Sequence, residues 1–262
     1  HAKIEPERFY YHCDQLGMLV WQDMVNGGSA YKHWFVTYLA TLMNWNHISF
    51  SDDEKHAGLL SRLHPEGKDE FRREITETIA FLYNHPSIVV WVPFNEGWGQ
   101  FDALAACEQI RTLDSSRLVD HASGWFDQKG GDILSLHYYF LKLKFKPESK
   151  RAAALTEFGG YSLSIPGHSC CKKVYGYKKF NSTGALTYGY IDLIRQTILP
   201  AVKKGIGATV YTQLSDIEEE TNGIYTYDRE ICKIDPDTLR KWNRALKEAG
   251  ECKTYADHTT DH

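Results

Sequence analysis

None of the six cysteines pair as C-x-x-C, which argues against a zinc site or a thiol redox pair. No apolar run approaches the roughly 18 residues that a membrane helix needs, so no membrane partner is expected. No basic stripe is visible. The formal net charge is −4, with both signs spread along the chain, and nucleic acid is not an expected partner. The sequence opens on His1 without an initiator Met or a secretory signal, so upstream sequence is expected to have been removed. No Gly-rich phosphate turn follows the first apolar strand, which weakens the case for an open doubly wound sheet. What the chain has in quantity is flat aromatic surface, 7 Trp and 16 Tyr in 262 residues. Rings with a polar handle suit a sugar cleft, although most serve as core and rim.

Along the chain, helices alternate with short apolar strands. The spacing predicts a helix over Pro6–Leu16, stopped by Gly17, and then a buried strand Met18–Trp21. Asp23 to Leu63 reads as an elaborated loop with some helix. Phe71, Ile75, Ile79 and Leu82 predict a helix over Gly67–Tyr83, ended by Asn84-His85-Pro86. Ile88–Val92 is an unbroken apolar run, the mark of a strand covered on both faces. A helix over Phe101–Leu113 with Leu104 and Ile110 buried follows, then strands near residues 118, 133 and 153. A helix over Tyr188–Lys203, broken near Pro200, leads to a strand at Ala208–Thr212. Asp235-Pro236 opens the last helix, with Leu239, Trp242 and Leu246 on its apolar face, and 251–262 reads as a polar tail. This pattern predicts an α/β chain with a parallel sheet under helices, a (β/α)₈ barrel. Six strands are counted, so the first two of the eight are expected upstream of residue 1, leaving residues 1–250 as an N-terminally truncated catalytic barrel.

Two carboxylates end apolar strands. Glu96 follows Val92-Pro93-Phe94-Asn95, with Trp98 beside it, and Glu157 follows Ala154-Leu155-Thr156, with Phe158-Gly159-Gly160 after it. Either one alone also suits a helix cap or a surface ion pair. Two on different strands of one barrel are more specific, because catalytic groups sit at strand C-termini and glycoside cleavage needs two carboxyl groups flanking one bond.

At this point the sequence resembles glycoside hydrolase family 2. Asn95-Glu96 and Thr156-Glu157-Phe158-Gly159-Gly160 look like that family's two catalytic signatures. Lys3–Pro6 through Tyr10-Tyr11 to Gly17–Asp23, Asn84–Ile88, Asn222-Gly223-Ile224 and Tyr227-Asp228-Arg229 match in order. The resemblance implies a TIM barrel preceded by β-sandwich domains of the same polypeptide. It implies Glu96 as acid/base and Glu157 as nucleophile of a retaining enzyme acting on terminal β-linked sugars, with a carboxyl separation of about 5–5.5 Å. Asn95 would bond the sugar 2-hydroxyl, and His1 would be a pocket histidine. His137, Tyr138 and Tyr139 end the sixth barrel strand, where one tyrosine would neighbour the nucleophile. Asp23, Trp98 and Trp125 are candidate rim residues. No metal or organic cofactor is expected. The carbohydrate substrate is the expected ligand, and a homo-oligomer is left open.

Two departures bear on specificity. Strand eight ends Tyr211-Thr212-Gln213 where many members carry a Trp platform. The Asn-x-Lys clamp of glucuronidases is absent. The missing clamp lowers the glucuronidase reading. The resemblance implies a β-galactosidase-like activity by convention for such chains, with β-mannosidase or β-glucuronidase as alternatives. Outside this class the rivals are a glycan-binding barrel without activity and a metal-dependent hydrolase, for which His121 and His137 offer a thin ligand set.

Overall fold

The computed structural model describes residues 2–32, 34–45, 48, 50–139 and 143–257. The strands are β1 (Val20–Asp23), β2 (Ile88–Val92), β3 (Leu118–Val119), β4 (Ile133–Tyr138), β5 (Ala152–Gly159), β6 (Tyr161–Ser162), β7 (Lys178–Lys179) and β8 (Ile206–Thr212). The six expected strands correspond to β1 to β5 and β8. The helices are α1 (Glu7–Leu16), α2 (Thr41–Trp45), α3 (Pro65–Leu82), α4 (Ala103–Leu113), α5 (Thr183–Leu193), α6 (Leu199–Lys203) and α7 (Pro236–Asp257), with π-helical turns at Trp34–Ala40 and Ile194–Ile198. α7 runs on through much of the segment read as a tail. Among the described residues the ladders form no closed eight-stranded ring.

The chain divides into two compact units, one of residues 1–136 with 149–152, the other of residues 137–148 with 153–262. The first holds a parallel sheet in the order β1-β2-β3. Val20 pairs with Ile88 and Asp23 with Val92, and Val90 pairs with Leu118. Its core gathers Phe71, Ile75, Ile79 and Leu82 from α3, Ala103, Ala106, Cys107 and Ile110 from α4, and Trp91 from β2. A fully buried side chain of this kind contributes about 1.5–3 kcal/mol. Trp91 Nε1 donates to Asp114 at 2.9 Å, and Arg117 Nη1 donates to the same oxygen at 2.6 Å.

Two sequence expectations are corrected here. Leu104 is 50% exposed, because the buried stripe of α4 runs through 103, 106, 107 and 110 and Leu104 lies to one side of it. The first strand begins at Val20 and leaves Met18 and Leu19 exposed. Gly17 takes a left-handed φ of 67°, and the Met18 amide closes α1 on the Cys13 carbonyl at 3.0 Å, so the ladder starts only after that cap.

In the second unit β5 and β8 pair in parallel, and so do β6 and β7. Asn181-Ser182-Thr183 is a helix start, with Ser182 Oγ accepting the Ala185 amide at 3.2 Å to cap α5. The helical run into α6 widens to a π turn at Ile194–Ile198, just before Pro200, where the missing N–H breaks the regular ladder. Asp235 caps α7 by accepting the Thr238 amide at 2.7 Å.

Candidate active site

The Glu96 locus lies at the strand C-termini of the first unit. Past β2 the backbone continues its pairing with the segment after β3. Asn95 bridges Ser123, Ser123 N donates to Phe94 O at 2.8 Å, and Glu96 N donates to Ser123 O at 2.9 Å. Glu96 itself is half-buried and sits at φ 50°, in the left-handed region. That conformation costs an L-residue about 1–2 kcal/mol. The turn is completed by Gly97 at φ 70°, where a Cβ would meet the Phe126 ring at 2.2 Å, so no other residue fits. Trp98 is half-exposed, packs at a tilt against Tyr31 with centroids 5.0 Å apart, and offers its carbonyl to the Asn26 amide. Arg62 ties the same turn down by donating to Gly99 O at 2.9 Å, Gly67 O at 3.0 Å and Asn26 Oδ1 at 3.0 Å.

Asp23 ends β1, and its carboxylate accepts the Ala2 amide at 2.7 Å. Trp125 follows Ser123 and packs on the cluster of Phe35 and Phe126. His121 is a structural histidine. Its Nε2 accepts the Gln128 amide at 2.9 Å and lies 3.1 Å from Asp127, which Arg151 grips with two bonds of 2.7 and 2.8 Å. Burial alone would raise the Asp127 carboxyl, but the two Arg151 bonds and the Lys129 amide hold it well below the usual range. Burial also pushes the Cys107 thiol up to about 12, which leaves it inert. His1 falls outside the described residues.

The Glu157 locus belongs to the second unit. From Ala153 to Gly160 every residue of β5 and its end is buried except Glu157. The β5–β8 register slips between Leu155↔Thr209 and Phe158↔Tyr211, so a bulge at Thr156-Glu157 re-aims this side chain. Tyr139 donates its hydroxyl to Glu157 Oε2 and accepts from Thr212 Oγ1 at 2.9 Å. His137 Nδ1 lies 3.5 Å from the same Glu157 oxygen, and its side chain is 1% exposed. Burial first, then the Glu157 charge, push the Tyr139 phenol far up, so it stays a donor. Of the two tyrosines left open by the sequence, Tyr139 is therefore the one that bonds Glu157. Tyr138 instead neighbours Tyr161.

Sequence reasoning missed Tyr177, which stacks on Tyr139 with centroids 4.0 Å apart. Gly160, at φ 62°, is the signal that it has such a neighbour, since a Cβ there would meet the Tyr177 ring at 2.3 Å. It also missed Glu220, whose Oε2 accepts Gln213 Nε2 at 2.9 Å. Burial, with Glu157 adding to it, raises the Glu220 carboxyl against the opposing bonds from Asn222 and Gln213. Away from this locus, His168, Asp228 and Glu230 bring ligand-type atoms within 4.8 Å of one another at the surface. His168 Nδ1 is already taken up by Asp228 at 2.7 Å. No helix among the described residues is long and apolar enough to cross a membrane.

The profile of "Glycosyl hydrolases family 2, TIM barrel domain" matches residues 5–198. The chain belongs to glycoside hydrolase family 2. It is 32% identical over 94 residues to "Beta-mannosidase B" of Thermothelomyces thermophilus, covering 36% of this chain and 8% of that protein. It is 26% identical over 263 aligned residues to "Beta-galactosidase" of Leuconostoc mesenteroides subsp. mesenteroides, covering 95% of this chain and 22% of that protein. The fold resembles the solved β-D-glucuronidase of Dictyoglomus thermophilum, with a TM-score of 0.61 and 14% identity over 92% of this chain and 43% of the other. The chain thus spans well under two thirds of these family members, and its parallel ladders belong to a TIM-barrel fold.

Proposed function

We propose that the chain is the catalytic barrel of a retaining exo-β-glycosidase, with Glu157 as nucleophile and Glu96 as general acid/base. The observation that carries this reading is Glu157 itself, a half-buried carboxylate on a strand bulge, steadied by a tyrosine hydroxyl with His137 beside it. A carboxylate held this way keeps its aim, which a nucleophile needs. In the first step Glu157 attacks the anomeric carbon while Glu96 gives its proton to the leaving oxygen. In the second step water attacks the glycosyl-enzyme and Glu96 takes the proton. Asn95, next to Glu96, would bond the sugar 2-hydroxyl, with Trp98 and Trp125 as rim.

A neutral β-galactoside is the first candidate substrate, supported by the galactosidase match along nearly the whole chain. A β-mannoside is the second reading, supported by the higher local identity to a β-mannosidase. Aryl β-galactoside, β-mannoside and β-glucuronide with one leaving group, assayed with and without chelator, separate these from each other and from a metal-dependent enzyme. A 2-fluoro glycoside of the preferred sugar should label Glu157. Labelling elsewhere, or turnover abolished by chelator, overturns the proposal.

A further inference from the structure

Beyond β8 the chain turns back on itself and presents a second carboxylate to the Glu157 locus. Gln213, the first residue after β8, donates Nε2 to Glu220 Oε2 at 2.9 Å and to Asn222 Oδ1 at 2.7 Å. Asn222 Nδ2 reaches the same Glu220 oxygen at 3.5 Å. Both amides face Oε2, and among the described residues Oε1 makes no hydrogen bond. The segment is fixed from below. Asp216 is paired with Lys233 at 2.7 Å, both fully buried, and Lys233 also donates to Leu163 O and Thr221 O at 2.9 Å each. Tyr175 bridges Glu220 by backbone pairing, two residues from the Tyr177 ring that stacks on Tyr139. A chain of contacts therefore runs from Glu220 through Gln213 to its neighbour Thr212, and on through Tyr139 to Glu157.

A carboxylate with one oxygen anchored by amides and the other open accepts hydrogen bonds and donates none. Sugar hydroxyls are the matching donors, and bonds to an ionised acceptor are the stronger kind. A sugar carboxylate at the same position would meet like charge, a repulsive element of the sort that sets specificity. We propose that Glu220 is a specificity-determining residue of the Glu157 site. It binds hydroxyls of a neutral sugar through Oε1 and rejects uronides by its charge. This inference rests on the reading of Glu157 as nucleophile.

The test compares the full-length protein with Glu220→Gln and Glu220→Ala on aryl β-galactoside, β-mannoside and β-glucuronide. Glu220→Gln keeps an acceptor oxygen for Gln213 and should melt within about 2 °C of the parent. In both variants the ratio of kcat/KM for the better neutral glycoside to that for the glucuronide should fall roughly tenfold or more, chiefly through KM for the neutral sugar. As a measurement free of any variant, the parent enzyme should be inhibited roughly tenfold more tightly by the free neutral sugar than by glucuronate. An active enzyme that prefers the glucuronide, or whose ratio and inhibition stay within about threefold, overturns the Glu220 assignment alone. An enzyme inert toward all three glycosides overturns the Glu157 reading and this one with it.

Discussion

Glu96 and Glu157 both follow apolar parallel strands, yet they are held in opposite ways. The Glu96 turn is fixed by backbone, through the Ser123 bonds, a left-handed φ and a glycine against Phe126. Glu157 is fixed by side chains, through a bulge, the Tyr139 hydroxyl and His137. The first arrangement sets where a carboxyl stands. The second also bonds the carboxylate itself, at Oε2. The two carboxyls are therefore open to different damage, the first to a change in the turn and the second to loss of a neighbouring side chain.

The sharpest break of the comparison is Glu157→Gln, which should lower kcat by about 10⁵-fold or more, since no other group can form the covalent intermediate. Turnover within about tenfold of the parent in steady-state assays sinks the assignment. Glu96→Ala should cost about 10²–10⁴-fold on substrates with poor leaving groups and much less in the glycosylation of an aryl glycoside. Azide should then restore turnover and give the β-glycosyl azide, whereas azide with Glu157→Ala should give the α-product. A β-product from the Glu157 variant means the roles are reversed.

The alternation of helices and strands was legible in the sequence, and so were the two strand-end glutamates, because an apolar run that ends abruptly in a carboxylate is a local pattern. Leu104 misled because a single apolar residue beside a stripe looks like part of it until the partner helix is known. Tyr177 and Glu220 were not legible. Tyr177 reaches the Glu157 locus by stacking on Tyr139, 38 positions earlier, and Glu220 reaches it only through Gln213 and the bond of Thr212 to Tyr139, and no period in the sequence encodes such contacts. His121 was legible only as a histidine, since its role depends on Asp127 and on Arg151, which arrives from 30 residues away.

Smaller effects test the supports of each locus. Lys233→Met leaves Asp216 buried without its cation and should destabilise the fold by about 3–5 kcal/mol, read in thermal or denaturant melts, with little change in the first unit's local exchange protection. Tyr139→Phe removes a hydrogen bond to a charged acceptor and should lower kcat by about 10–150-fold while leaving the Glu96 turn unchanged. Loss of less than about threefold would show that the hydroxyl is merely structural. On the Glu96 side, burial would raise the Asp114 carboxyl, but bonds from Ser116, Arg117 and Trp91 bring it from 3.8 down to about 2. A depressed carboxyl stabilises the fold above its unfolded value and loses that contribution as pH falls through the folded one. Asp114→Asn should therefore flatten the loss of stability between about pH 4 and pH 2 in acid titrations followed by circular dichroism.

The left-handed backbone at Glu96 has an evolutionary consequence. Glycine would occupy that position without strain, so drift toward stability alone favours Glu96→Gly, and a chain released from its chemistry would gain a steadier fold by that change. A lineage in which the carboxylate persists is one in which activity has outweighed foldability at that residue. The same logic makes Glu96→Gly a natural first step for descendants that keep the barrel and bind glycans without cutting them.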